Sequence, residues 1–150
     1  MRCALALLVQ LTIVLASSSS FARQTAPDDD HANLQGTWAL VSMEVEGKEL
    51  PMEELRDSRL VIKGNKYTFR FRKREREFHF KLDSTTKIKA IDLEVAKESE
   101  SSPVYYGIYA MEEGKLKVCR VIKAGHPRPK TFTTKANSGS VAAAWRREEQ

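Results

Sequence analysis

Apolar and polar residues alternate along most of the chain in short runs, the two-residue period of half-buried β-strands. Residues 66–72 show it most cleanly, with Tyr67, Phe69 and Phe71 on one face and Lys66, Thr68, Arg70 and Arg72 on the other. Residues 77–82 repeat it with Phe78, Phe80 and Leu82. The same pattern predicts strands over 36–46, 59–63, 89–95, 104–111, 115–122 and 140–146, and a short edge-like strand over 130–135. Gly47-Lys48, Gly64-Asn65 and Glu113-Gly114 are the turn signals between them, with a polar loop over 96–102 and a rigid loop over 125–129. Residues 51–56 alone predict a helical turn, with Pro51 at its start and Glu53 and Glu54 near the positive end of the helix dipole. About eight or nine short strands joined by tight turns give a closed antiparallel barrel or a sandwich. The up-and-down barrel is preferred, because short connections favour pairing in sequence order.

Two segments near the start break the alternation. Residues 3–16 are apolar apart from Cys3, Gln10 and Thr12. They follow Arg2 and lead through serines into Ser20-Phe21-Ala22. Small residues three and one before a cut after Ala22 complete the layout of a secretory signal peptide over 1–22, with a cut after Ala16 as the competing choice. The run is shorter than the roughly 20 residues of a membrane-spanning helix, and no second apolar run follows. Residues 23–33 are polar, contain Pro27 and lack an apolar period, so they predict a flexible leader. The domain is then 34–148, and the expected product is an exported monomer without a transmembrane segment.

Charge and cysteine content narrow this further. The chain has 150 residues, with 25 basic and 20 acidic side chains; without Arg2 the balance is 24 against 20, or +4. That excess is ordinary, and an exported protein gives little reason to expect a nucleic-acid partner. Once Cys3 leaves with the signal, Cys119 is alone, so no internal disulfide forms and the core must hold the fold.

Particular segments carry a resemblance. Leu34-Gln35-Gly36-Thr37-Trp38 opens the first strand with the Gly-x-Trp of lipocalins. Val61-Ile62-Lys63-Gly64-Asn65-Lys66-Tyr67, Lys81-Leu82-Asp83, Ala90-Ile91-Asp92-Leu93, Tyr106-Gly107-Ile108-Tyr109, Leu116-Lys117-Val118-Cys119 and Pro127-Arg128-Pro129 follow in order. Together, over about residues 34–148, they resemble an uncharacterised lipocalin-like family of planctomycete bacteria. Residues 141–145 depart from it, where similar proteins carry larger aliphatics. The resemblance implies a small calycin-type barrel and no known activity. It makes Gly36 and Trp38 structural, with Arg146 or Arg147 of the last strand covering the Trp38 ring through a cation–π contact.

Candidate chemistry is sparse. No Gly-x-Ser-x-Gly, phosphate-cradling glycine loop or His-Glu-x-x-His is present. His31, His79 and His126 are far apart, so neither a metal nor a cofactor is expected. Cys119 with His126 lacks a third member, and a packed thiol is the simpler reading. Arg70, Arg72, Lys73, Arg74 and Arg76 form a basic hairpin, with Phe71 opposite Phe78 and the turn at Arg74-Glu75. Its functional reading is a polyanion-binding ribbon and its bland one, which is favoured, a solvated hairpin tip. Pairing Met111 with Leu116 puts Tyr105, Gly107 and Tyr109 on one face with Arg120, and drives Arg120 toward the apolar side opposite Gly107. A buried arginine needs an internal carboxylate or an anionic ligand, so Arg120, Tyr105 and Tyr109 are the candidate ligand contacts. Six inward aromatics (Trp38, Tyr67, Phe69, Phe71, Phe78, Phe80) favour a filled interior. The leading expectation is an exported, non-enzymatic lipocalin-like binding module for a small apolar or anionic molecule. A protein-interaction or inhibitor module of the cell envelope is the alternative, and a polyanion-binding surface protein a weaker one.

Overall fold

The alternating runs pair in sequence order and close on themselves. A computed structural model of the chain describes residues 27–96 and 102–149. The expected signal peptide lies outside the described residues. The elements are α1 (Pro27–Leu34), β1 (Gly36–Val45), β2 (Lys48–Glu49), α2 (Met52–Leu55), β3 (Arg59–Lys63), β4 (Lys66–Phe71), β5 (Arg74–Asp83), β6 (Ala90–Val95), β7 (Val104–Glu112), β8 (Lys115–Val121) and β9 (Ser140–Arg147). All pairings are antiparallel, and β1 pairs with both β3 and β9. Eight strands thus form a closed lipocalin-like barrel, with β2 as a short extra strand beside β1. None of the described helices is long and apolar enough to cross a membrane.

The inward positions of these strands are filled. Trp38, Leu60, Leu93, Leu116 and Trp145 are essentially without exposure, and Tyr67, Phe78 and Phe80 join them in one core. Edge-to-face contacts link Phe69 to Trp145 and Phe78 to Tyr105, with centroids 5.6 and 5.8 Å apart. An eight-stranded barrel is just wide enough for its own side chains to fill, and these aromatics do so.

The polar run 27–33, expected as flexible leader, belongs to α1, which closes one end of the barrel. Pro27 at the first position with Asp29 and Asp30 close behind is a local start signal, but burial comes from distant partners. The Asp30 carboxylate accepts from Lys89 Nζ at 2.6 Å and from the Tyr109 hydroxyl at 2.8 Å. His31 stacks on Phe80 with centroids 5.2 Å apart. Leu34 is fully buried, and its carbonyl accepts the Trp38 indole N–H at 3.0 Å.

Two other expectations are corrected. Residues 130–135 form no strand. A closed barrel leaves β9 no free edge, since β8 and β1 occupy both sides. Residues 122–139 instead run as a strap over the barrel's outer face, where Phe132 packs on Ile108, Cys119 and Ala142. The small side chain of Ala142 gives the Phe132 ring of the strap room to pack. The strap is tied down by Thr134, whose N–H and hydroxyl reach Glu44 Oε1 at 2.5 and 2.6 Å. Those bonds hold the Glu44 carboxyl below its ordinary range.

The β4–β5 turn falls at Arg72-Lys73, not Arg74-Glu75, so Tyr67 faces Phe78 and Arg70 faces Glu75. Both turn residues take positive φ, 47° and 62°. That suits the twist of a two-residue hairpin and places Arg70 and Lys66 within salt-bridge reach of Glu75 and Glu77. Of the two arginines expected to cover Trp38, one does so. Arg147, not Arg146, lies over the ring, 4.2 Å from its centroid, because Arg147 is the residue paired with Trp38. Its guanidinium also binds the carbonyls of Asn33 and Gln35. Gly36 fits beneath it: φ is 125°, and a Cβ there would lie 2.7 Å from Arg147 Nη1.

Candidate functional site

The barrel end opposite α1 gathers the unusual polar groups. Met111 pairs with Leu116 and Gly107 with Arg120, the register expected from strand alternation. Arg120 therefore projects to the apolar side. Gly107 makes this possible, since a Cβ there would meet Cys119 O at 2.9 Å, Arg120 Cβ at 3.0 Å and Ile91 Cγ2 at 3.1 Å.

Arg120 is half-buried, and its guanidinium donates to Val121 O at 3.1 Å. It lies 5.9 Å from the centroid of the Phe78 ring. Among the described residues it makes no ion pair with a carboxylate. Burial pulls its pKa below the ordinary arginine value, Tyr67 works against that shift, and the neighbouring Arg76 adds to it. Tyr67 is pushed up to about 12 by burial, with the charge of Arg120 opposing.

Trp145 adds a second unmet need. It is 1% exposed, and its indole N–H has no acceptor among the described residues. A buried donor left unpaired costs about 1–3 kcal/mol. Trp145, Arg120 and Tyr67 line one cavity of about 20 Å³ inside the barrel, room for a single water-sized group. Every polar side chain lining it can donate a hydrogen bond, and none is a carboxylate. Such a site suits one small acceptor, above all an anionic one. Sequence reasoning found Arg120 by parity but missed Trp145, because an orphaned N–H depends on all its neighbours at once.

The other candidates separate from this site. Tyr105 stays close to Arg120 through Phe78. Tyr109 does not: its hydroxyl is committed to Asp30 at the α1 end, and burial followed by that carboxylate raises its pKa. The basic hairpin is partly neutralised, with Arg70 paired to Glu75 and Arg72 to Glu54. Lys73, Arg74 and Arg76 remain exposed without ion pairs among the described residues. By register Arg74 and Arg76 fall on the same face as Phe71 and Phe69, toward the Arg120 end.

Cys119 is fully buried beneath Phe132, and burial pushes its thiol up to about 11, the opposite of an activated nucleophile. His31 lies on Phe80 and His126 against Gly139. Among the described residues no cluster of histidine, cysteine or acidic side chains could hold a metal ion. Compared with protein-family models, curated proteins and solved structures, the chain finds no match in any of the three.

Proposed function

We propose that this chain is an exported, non-enzymatic lipocalin-like module that binds a small molecule through its acidic group at Arg120. One observation carries the reading: a guanidinium sits inside a filled barrel with no carboxylate beside it among the described residues. The Trp145 N–H and Tyr67 supply two further donors, and the cavity of about 20 Å³ has room for one oxygen of the acidic group but for no apolar body. A filled interior argues against the lipid-carrying version of the reading. It also favours a second one, in which the acid is a carboxylate of an envelope protein docked at this end. The absence of catalytic motifs and the raised thiol of Cys119 support a non-enzymatic role. The resemblance of the ordered segments over residues 34–148 to a planctomycete lipocalin-like family supports membership of that family as part of the same proposal.

Calorimetric titration with acetate and formate, with and without Arg120→Met, tests the site. The substitution keeps the apolar length and deletes the charge, so the ligand-free barrel should be as stable as before or more so. Carboxylate binding should disappear. A loss of about 3–5 kcal/mol in the variant would instead mean that Arg120 already serves an internal acid, and unchanged binding would place the anion elsewhere. For export, mass analysis of the secreted product should give Arg23 as its first residue. An intact Met1 in the membrane fraction would overturn the signal-peptide reading.

A further inference from the structure

We propose a second binding site, on the outside of the barrel, for a small amphipathic anion: a single carboxylate carried on an apolar tail. The outward face of a strand normally meets water and is polar. Here the register sets Asp83, Ala90, Ile108, Cys119 and Ala142 side by side across β5 to β9 on that outward face. Ala90, Ile108, Cys119 and Ala142 are apolar and buried. The strap covers the β8–β9 end of this stripe with Phe132. Toward β5 and β6 the cover stops, and a groove of about 550 Å³ lies between Pro129 of the strap and Ile88 of the 84–89 loop. Ile88 is 42% exposed, a large apolar side chain facing an apolar floor across open space.

Both walls are held in place. Arg128 Nη1 donates to Gly107 O at 2.7 Å and pairs with Asp92 Oδ1 at 2.7 Å, while its guanidinium lies 5.0 Å from the Tyr106 ring centroid. On the loop side Asp83 Oδ1 accepts from Thr85 N and Oγ1 at 3.0 and 2.6 Å, and Thr86 Oγ1 donates to Ile88 O at 2.7 Å. The groove is therefore built before any ligand arrives, and its volume falls in the small-molecule range of about 300–1,000 Å³.

Charge decides the occupant. Lys81, Lys87 and Lys130 line the groove and make no ion pair among the described residues, whereas its two carboxylates are already engaged by Thr85 and Arg128. The surplus is cationic above an apolar floor, which matches an acid with an apolar tail. Strand addition by a peptide is unavailable here, because β6 is paired on both sides within the closed barrel. The site lies outside the barrel, so it is independent of the Arg120 reading.

A fluorescence titration of the full exported chain with dansyl-labelled undecanoic acid at low salt tests the proposal. Saturable one-to-one binding with a blue shift is expected, displaced by dodecanoate but not by dodecanol or dodecyltrimethylammonium. Ile88→Asp changes an exposed wall residue, leaves folding intact and should weaken binding by at least about tenfold. Ala90→Trp, checked for an unchanged far-ultraviolet spectrum, should do the same by filling the floor. Lys87→Gln with Lys130→Gln should weaken binding and flatten its salt dependence. Arg120→Met should bind the probe as the parent does. No binding by the parent, full binding by Ile88→Asp and Ala90→Trp, or equal displacement by dodecanol would each overturn the proposal. So would loss of binding in Arg120→Met, which would put the tail inside the barrel.

Discussion

Trp38→Ala is expected to destabilise the protein by about 3–5 kcal/mol, the usual range for deleting a fully buried large aromatic. Trp38 has no exposure, and three separate elements depend on it. Its ring supports Arg147 of β9, its N–H holds Leu34 at the end of α1, and its strand pairs with β3 on one side and β9 on the other. Deletion leaves a cavity where helix, first strand and last strand meet, so little of the surrounding structure can collapse into it. Trp38→Phe separates the contributions. It keeps an aromatic ring but abandons the Leu34 carbonyl, and should lose less than the alanine variant, with about 0.5–1.5 kcal/mol of its cost belonging to the hydrogen bond. Urea melts of both variants check the prediction. An unchanged midpoint for Trp38→Ala would mean that the barrel is not closed around this residue.

The second large effect is expected at Asp30, where alanine should cost about 2–4 kcal/mol, as for a buried hydrogen-bonded charge. Asp30 of α1 is buried with two donors on its carboxylate. Removing it leaves the Tyr109 hydroxyl, on a residue only 2% exposed, without its acceptor. Lys89 suffers less, because its side chain is 35% exposed and can turn toward water. Tyr109→Phe should therefore be milder than Asp30→Ala, and the double variant should lose less than the sum of the two. A double-mutant cycle measured by thermal or urea unfolding reads that coupling directly. Additive losses, or a change below about 0.5 kcal/mol for Asp30→Ala, typical of surface positions, would show that α1 is not docked in solution.

Both predictions fall on α1 and its surroundings, the region that local patterning described least well. The acidic run at 28–30 carries no apolar period, and Asp30 finds its partners 59 and 79 residues away. No window of neighbouring residues contains that information. The strap is similar. Phe132 lies in a stretch that alternates weakly enough to suggest a strand, yet barrel closure leaves it no edge to join, and the Ile108–Ala142 stripe takes it instead. Local signals misplace the β4–β5 turn, because neither Arg72 nor Lys73 advertises the positive φ it adopts, and alternation favours Phe71 opposite Phe78 over the pairing of Tyr67 with Phe78 that forms.

What the sequence determined by itself was whatever depends on a two-residue period and on local turn chemistry. That includes the eight barrel strands, their order, the hairpin at Glu113-Gly114 and the inward direction of Arg120 opposite Gly107. These follow from alternation, because one register step would turn every apolar side chain of a strand into water. Tertiary structure alone decided which arginine covers Trp38, that Tyr109 serves α1 rather than the Arg120 site, and that Trp145 carries an unmet donor. Each of these depends on volumes and distances summed over strands far apart in sequence, and the closure of β1 on β9 fixes them only when all eight strands are in place.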